Sequence, residues 1–315
     1  MITNTYKTEI RSIFSHASLT LRISVVAGLI AVFSSCGSDQ DEQKIDDKLI
    51  TSDEEFTAGE IRVKKVGKVF YSIPSPIEMT SLIKKAGGTY DKDILNSAGN
   101  VSNYITNKSM ALNLGIYGAD LSYSSIYDQT QETMLYFSAA KKLADGLGIS
   151  SAFGKSIWER VENNLSNRDS LVQIISDSYW ETDAYLKENR RSNTSALVIT
   201  GGWIEGLYIG TKLATSATNN QEIISRIGEQ KLTLNNLIAM LETYDDEGVA
   251  DILEELLEVQ QVFDGVELSY TRKEPDTNPE TKVTTLFTTS KISISEEQLD
   301  SISVKIKKIR DNIIK

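Results

Sequence analysis

The sequence predicts an all-α protein, a duplicated helical bundle closed by a C-terminal amphipathic helix. Three observations predict it. All four prolines sit near the edges of the region beyond residue 70, and 198 residues without one separate Pro76 from Pro275. Proline costs about 3 kcal/mol inside a helix, so a long stretch free of it favours helices. Apolar residues recur at helical spacing, as in Leu253, Leu256 and Leu257 with Asp251, Glu254, Glu255 and Glu258 on the opposite side. Short matches also recur at an offset of about 90 residues.

The elements follow in order. Ser75-Pro76 with Glu78 has the chemistry of a helix start, and Gly87-Gly88 that of its stop. The repeat pairs Ser81-Leu82-Ile83 with Ser170-Leu171-Val172 and Tyr90 with Tyr179. It also pairs Gly115-Ile116-Tyr117 with Gly206-Leu207-Tyr208, and Gln131-Glu132 with Gln221-Glu222. Two stacked halves, 74–155 and 163–243, are therefore expected inside a helical domain 56–270, with a further helix at 246–264. Residues 271–294 are polar, contain two prolines and read as a linker. Ser295-Glu296-Glu297 opens a last helix within 295–315, whose apolar face carries Leu299, Ile302, Ile306 and Ile309.

The N-terminus has a different character. Lys7, Arg11 and Arg22 precede an apolar run, Ile23 to Phe33, of about 11 residues, where a bilayer-spanning helix needs about 20. A basic start, a short apolar stretch and small residues at its end describe a secretory signal. The segment Phe33-Ser34-Ser35-Cys36-Gly37 resembles a lipobox, the motif of bacterial lipoproteins, with Phe33 where Leu is usual. The resemblance implies cleavage after residue 35 and attachment of fatty acyl chains, palmitate among them, to Cys36. Residues 37–48 are acidic and nearly devoid of apolar side chains, and 36–55 read as a flexible tether. The position directly after Cys36 is Gly37, not Asp. The expected location is the outer membrane of the cell envelope, with the domain in the periplasm or on the surface. The expected partners are the membrane, through the lipid anchor, and another envelope protein.

Composition excludes much chemistry. The full chain has 33 basic and 44 acidic residues, a net charge of −11. Without residues 1–35 the remainder holds 30 basic and 43 acidic residues, or −13. So acidic a chain lacks the basic clusters that nucleic acid requires. The single His is His16 and the single Cys is Cys36. Beyond the signal there is no His for a Ser-His-Asp or Cys-His nucleophile, for zinc, or for haem, and no disulfide can form. Ser81-x-x-Lys84 and Ser138-x-x-Lys141 fit a Ser-Lys pattern, but no Lys-Thr-Gly follows. No catalytic residue, metal or cofactor is assigned.

Two features invite more than one reading. Gly202, Gly206 and Gly210 form a small-residue stripe, matched by Ala111, Gly115 and Ala119. It reads as tight helix packing, as a ligand groove, or as part of a membrane helix over Ala196–Leu213, against which Glu205 and the short apolar span argue. Asp120 shares a helix face with Ile116, Tyr123 and Tyr127, and Glu205 with Val198, Gly202 and Ile209. A carboxyl facing a core needs a partner or a raised pKa. Either each acid is satisfied locally and inert, or both line one groove with Tyr117, Tyr208 and Trp203 and serve as acid-base groups or cation ligands. The expectation is a non-enzymatic binding or scaffolding module; the alternative is a carboxylate-based enzyme or ion-binding protein using Asp120 and Glu205.

Overall fold

The structure, a computed structural model, describes residues 4–10, 73, 75–164, 167–216, 220–272, 276–278 and 283–315. The fold is all-α, as expected, with a small antiparallel sheet beside the helices. The helices are α1 (Pro76–Lys85), α2 (Asn107–Ile126), α3 (Thr130–Gly146), α4 (Gly154–Asn163), α5 (Arg168–Glu188), α6 (Ser192–Ser216), α7 (Gln221–Leu241), α8 (Glu247–Asp264) and α9 (Glu296–Ile313). Short 3-10 turns at Lys92–Ile94, Ala98–Asn103 and Ser150–Phe153 fill the connections.

Local chemistry sets several helix ends. Ser75 and Glu78 make a reciprocal capping box in front of α1, with Pro76 in its first turn. Gly87 follows its last residues at φ +91°, a conformation open to glycine and strained for other residues. Thr106 with Ser109, and Ser295 with Gln298, cap α2 and α9 in the same reciprocal manner. On α9, Ile302, Ile306 and Ile309 are buried, as the periodicity predicts.

The core is built around α2 and α6. Both are buried on nearly every side: from Ala111 to Ile126 only Gly118 escapes full burial. A helix buried all round belongs in the middle of a domain. The two cross with their backbones almost touching. A Cβ on Gly115 would lie 2.0 Å from the Val198 carbonyl oxygen, and one on Gly201 would lie 2.0 Å from that of Leu112. Gly202, which also touches Gly115 at this crossing, and Gly206 face α1, where Cβ atoms would meet Pro76 Cγ and Met79 Cε, each at 3.0 Å. The small-residue stripe is thus a packing surface on two sides of α6. Among the described residues no helix is long and apolar enough to cross a membrane.

The segment 271–294 corrects an expectation. It is not a linker: β2 (Glu267–Arg272), β3 (Asp276–Asn278) and β4 (Val283–Ser293) run through it. β2 pairs antiparallel with β4, from Glu267 opposite Ser293 to Arg272 opposite Thr288, and β3 pairs with β4 beyond it. The reason lies in composition. Val283-Thr-Thr-Leu-Phe-Thr-Thr289 is polar by count, yet rich in β-branched and aromatic residues, which suit a pleated surface. The opposite edge of β4 pairs with β1 (Asn4–Ile10). The expected signal core, Cys36 and the acidic tether lie outside the described residues.

Candidate functional site

Asp120 and Glu205, 85 positions apart in sequence, meet in the core. α2 presents Asp120 and α6 presents Glu205, and neither exposes any surface. α9 delivers the third member, Arg310. Its Nε donates to Glu205 Oε2 at 2.6 Å and its Nη2 to Glu205 Oε1 at 2.8 Å, a bidentate pair. The same Nη2 donates to the Ile94 carbonyl at 3.0 Å. Tyr208, one turn after Glu205, lies under the guanidinium, whose carbon is 4.1 Å from the ring centroid.

The electrostatics follow from this arrangement. Burial raises Asp120 well above the usual carboxylate range, the neighbouring Glu205 charge adds to that, and Arg310 only partly opposes it. Burial alone would lower Arg310. The charge and hydrogen bonds of Glu205 outweigh it and hold the guanidinium above its ordinary value. Asp120 Oδ2 accepts from the Asn96 amide at 3.3 Å, whereas Oδ1 is buried without a partner.

Around this cluster a polar network seats the end of α9. Asn113 Nδ2 donates to the Ile313 carbonyl at 3.0 Å, and Tyr104 Oη to the Ile314 carbonyl at 3.3 Å. Carbonyls in the last turn of a helix have no intrahelical partner, so these side chains satisfy groups that burial would otherwise penalise. Asn96 Nδ2 donates to Tyr104 Oη at 3.0 Å and links the two sides.

The remaining residues of the expected groove are placed differently. Tyr117 is buried, donates to the Ser97 carbonyl at 2.8 Å and packs among Tyr104 and Tyr136. Trp203 turns away toward α7, where its Nε1 donates to Gln230 Oε1 at 3.2 Å. Asp120, Glu205, Tyr208 and Tyr117 therefore form one buried neighbourhood and Trp203 belongs to another. Arg310, Asn96 and Asn113 were missed in the sequence. Arg310 left a trace: it stands one turn after Ile306 and beside Ile309, on the apolar face of α9.

A narrow apolar cavity lies on another side of α2. It has a volume of about 90 Å³ and is bounded by Pro76, Leu114, Gly118, Phe137, Ile157 and Tyr179, from five helices. A Cβ on Gly118 would meet nothing within 4 Å. Several hydroxyls on its wall are already engaged: Ser122 with the Gly118 carbonyl, Ser178 with Ile174, Thr182 with Ser178 and Ser75 with Glu78. Among the described residues no three His, Cys, Asp or Glu side chains gather as a metal would require. The chain matches no protein-family model, no curated protein and no solved structure.

Proposed function

We propose that this chain is a lipid-anchored envelope protein whose helical domain is a non-enzymatic binding module. One observation carries the non-enzymatic reading: both oxygens of Glu205 are taken by Arg310. An acid-base group must reach a substrate proton. Glu205 instead holds α9 to α6, and Asp120 lies sealed behind it. The alternative, a carboxylate-based enzyme or ion-binding protein, draws support from the contact between the two acids, and would require α9 to leave its seat.

The cavity supplies the binding site in this reading. It offers apolar walls and few free hydrogen-bond groups, so water gains little there. At about 90 Å³ it matches a few methylene groups rather than a whole lipid. The proposed occupant is the end of a lipid acyl chain, the class of molecule a membrane-anchored domain meets. A fluorescent fatty acid tests this: wild type binds it, and Gly118→Leu, whose side chain grows into the space, does not. Equal binding by both would refute the cavity as the site.

The anchor rests on the Phe33-Ser-Ser-Cys36 motif. Cleavage before Cys36 would remove β1 and leave β2, β3 and β4 as the sheet. Cys36→Ser should abolish incorporation of labelled palmitate and release the protein from the outer membrane; a variant that still takes up label would sink the assignment. The duplication has support from helix order, since α1, α2 and α3 are followed by α5, α6 and α7 at the offset of about 90 residues seen in the sequence matches.

A further inference from the structure

We infer that Asp120 is protonated in the folded protein and donates a hydrogen bond to Glu205 as a neutral acid, so that acid favours the docked position of α9.

The geometry requires a compensating positive charge or a proton. Two fully buried carboxyl groups face one guanidinium, and that guanidinium spends its Nε and Nη2 on Glu205 and the Ile94 carbonyl. Asp120 Oδ1 has no donor. Two carboxylates in contact do not both ionise readily where one cation serves them. A proton on Asp120 removes both difficulties: the cluster becomes neutral, and a carboxyl with an orphan oxygen gains a donor beside Glu205.

The other groups near the pair leave the proton to Asp120. α2 contributes Tyr117, the segment before α2 contributes Tyr90, Asn96 and Tyr104, α3 contributes Tyr136, and α6 contributes Tyr208 beside Glu205. All these tyrosines are held above their ordinary range by burial, so they stay neutral from acid to mildly alkaline pH. α9 contributes Arg310, which stays charged. Lys307 and Asp311, also on α9, pair with each other on the surface.

The direction of the pH effect follows. A carboxyl whose folded-state pKa lies above its unfolded value binds its proton more tightly when folded. Its contribution is fully present below the unfolded value, about 4, and is lost as pH rises through the folded one. Over that window the unfolding equilibrium constant rises by up to about tenfold per pH unit. Above it the core holds an unpaired negative charge, which opening of α9 would hydrate.

The test compares the purified chain with Asp120→Asn from about pH 5 to pH 8, where an unfolded aspartate is already ionised. Asn keeps a donor and has no proton to lose. Wild type should lose stability relative to the variant as pH rises. Amide exchange in Glu296–Ile313, corrected for its intrinsic pH dependence, should quicken in wild type and not in the variant. Parallel profiles in both measurements would overturn the inference. Should the variant not fold, the infrared spectrum of wild type in heavy water decides: a protonated-carboxyl C=O band at neutral pH supports the proton on Asp120, and its absence overturns it.

Discussion

Two sides of α2 solve the problem of burial in opposite ways. One side carries Asn113, Tyr117 and Asp120 into a polar cluster shared with α6 and α9, where most groups have a named partner. The other carries Leu114, Gly118 and Leu121 toward apolar walls that do not quite close. Polar burial forces closure, because each unmatched donor or acceptor costs about 1–3 kcal/mol. Apolar burial tolerates a gap, whose cost is only the dispersion and transfer energy forgone. In the proposed reading the side that looks chemically active is the structural one, and the featureless side is where a ligand has room.

Between these two sides runs the α2–α6 crossing, and the largest expected effect is there. Gly115→Ala would place a methyl group 2.0 Å from the Val198 carbonyl oxygen and 2.6 Å from the Gly202 nitrogen, both backbone atoms. Overpacking commonly costs about 1–3 kcal/mol, and backbone that cannot yield puts this variant at or beyond the top of that range. Gly206→Ala, which meets only the flexible end of Met79, should cost less than about 1 kcal/mol. Chemical denaturation of the two variants checks the contrast, and equal losses would mean that α2 and α6 are not in backbone contact.

The polar cluster follows with losses of similar size. Glu205→Ala and Arg310→Ala should each lose about 3–5 kcal/mol, because each strands a buried charge. The double replacement by Leu should cost less than either single change, since no charge is then left over. A double variant as weak as the sum of the singles would show that the two residues act independently. The smallest effect belongs to the apolar side. Gly118→Ala should stabilise the domain by about 1 kcal/mol, from helix propensity and from filling open space; destabilisation would mean that the space beside α2 is already occupied.

The sequence disclosed the parts of the fold that depend on local rules. The start of α1 could be read from Ser75-Pro76-x-Glu78, and its end from Gly87. The buried face of α9 could be read from Ile302, Ile306 and Ile309. Asp120 and Glu205 stood out because each interrupts an apolar face, but which residue answers them depends on a contact over 105 positions, which periodicity does not encode. The strands at 267–293 were hidden for a related reason. Threonine counts as polar in composition and as a strand former in a pleated ladder, and its pairing partner decides which property matters. The cavity was least legible of all. An absence of side-chain volume has no sequence signature beyond a glycine such as Gly118, which resembles the packing glycines Gly115 and Gly201 until its neighbours are known.

The central claim is that the apolar side of α2 binds and the acid pair does not. Mass spectrometry of the protein purified from its native cells tests it most directly, with Gly118→Leu and Asp120→Asn prepared in parallel. The account predicts a hydrocarbon-bearing small molecule released from wild type and from Asp120→Asn, and missing from Gly118→Leu. A molecule retained by Gly118→Leu but lost from Asp120→Asn would contradict it and place the site at the acids.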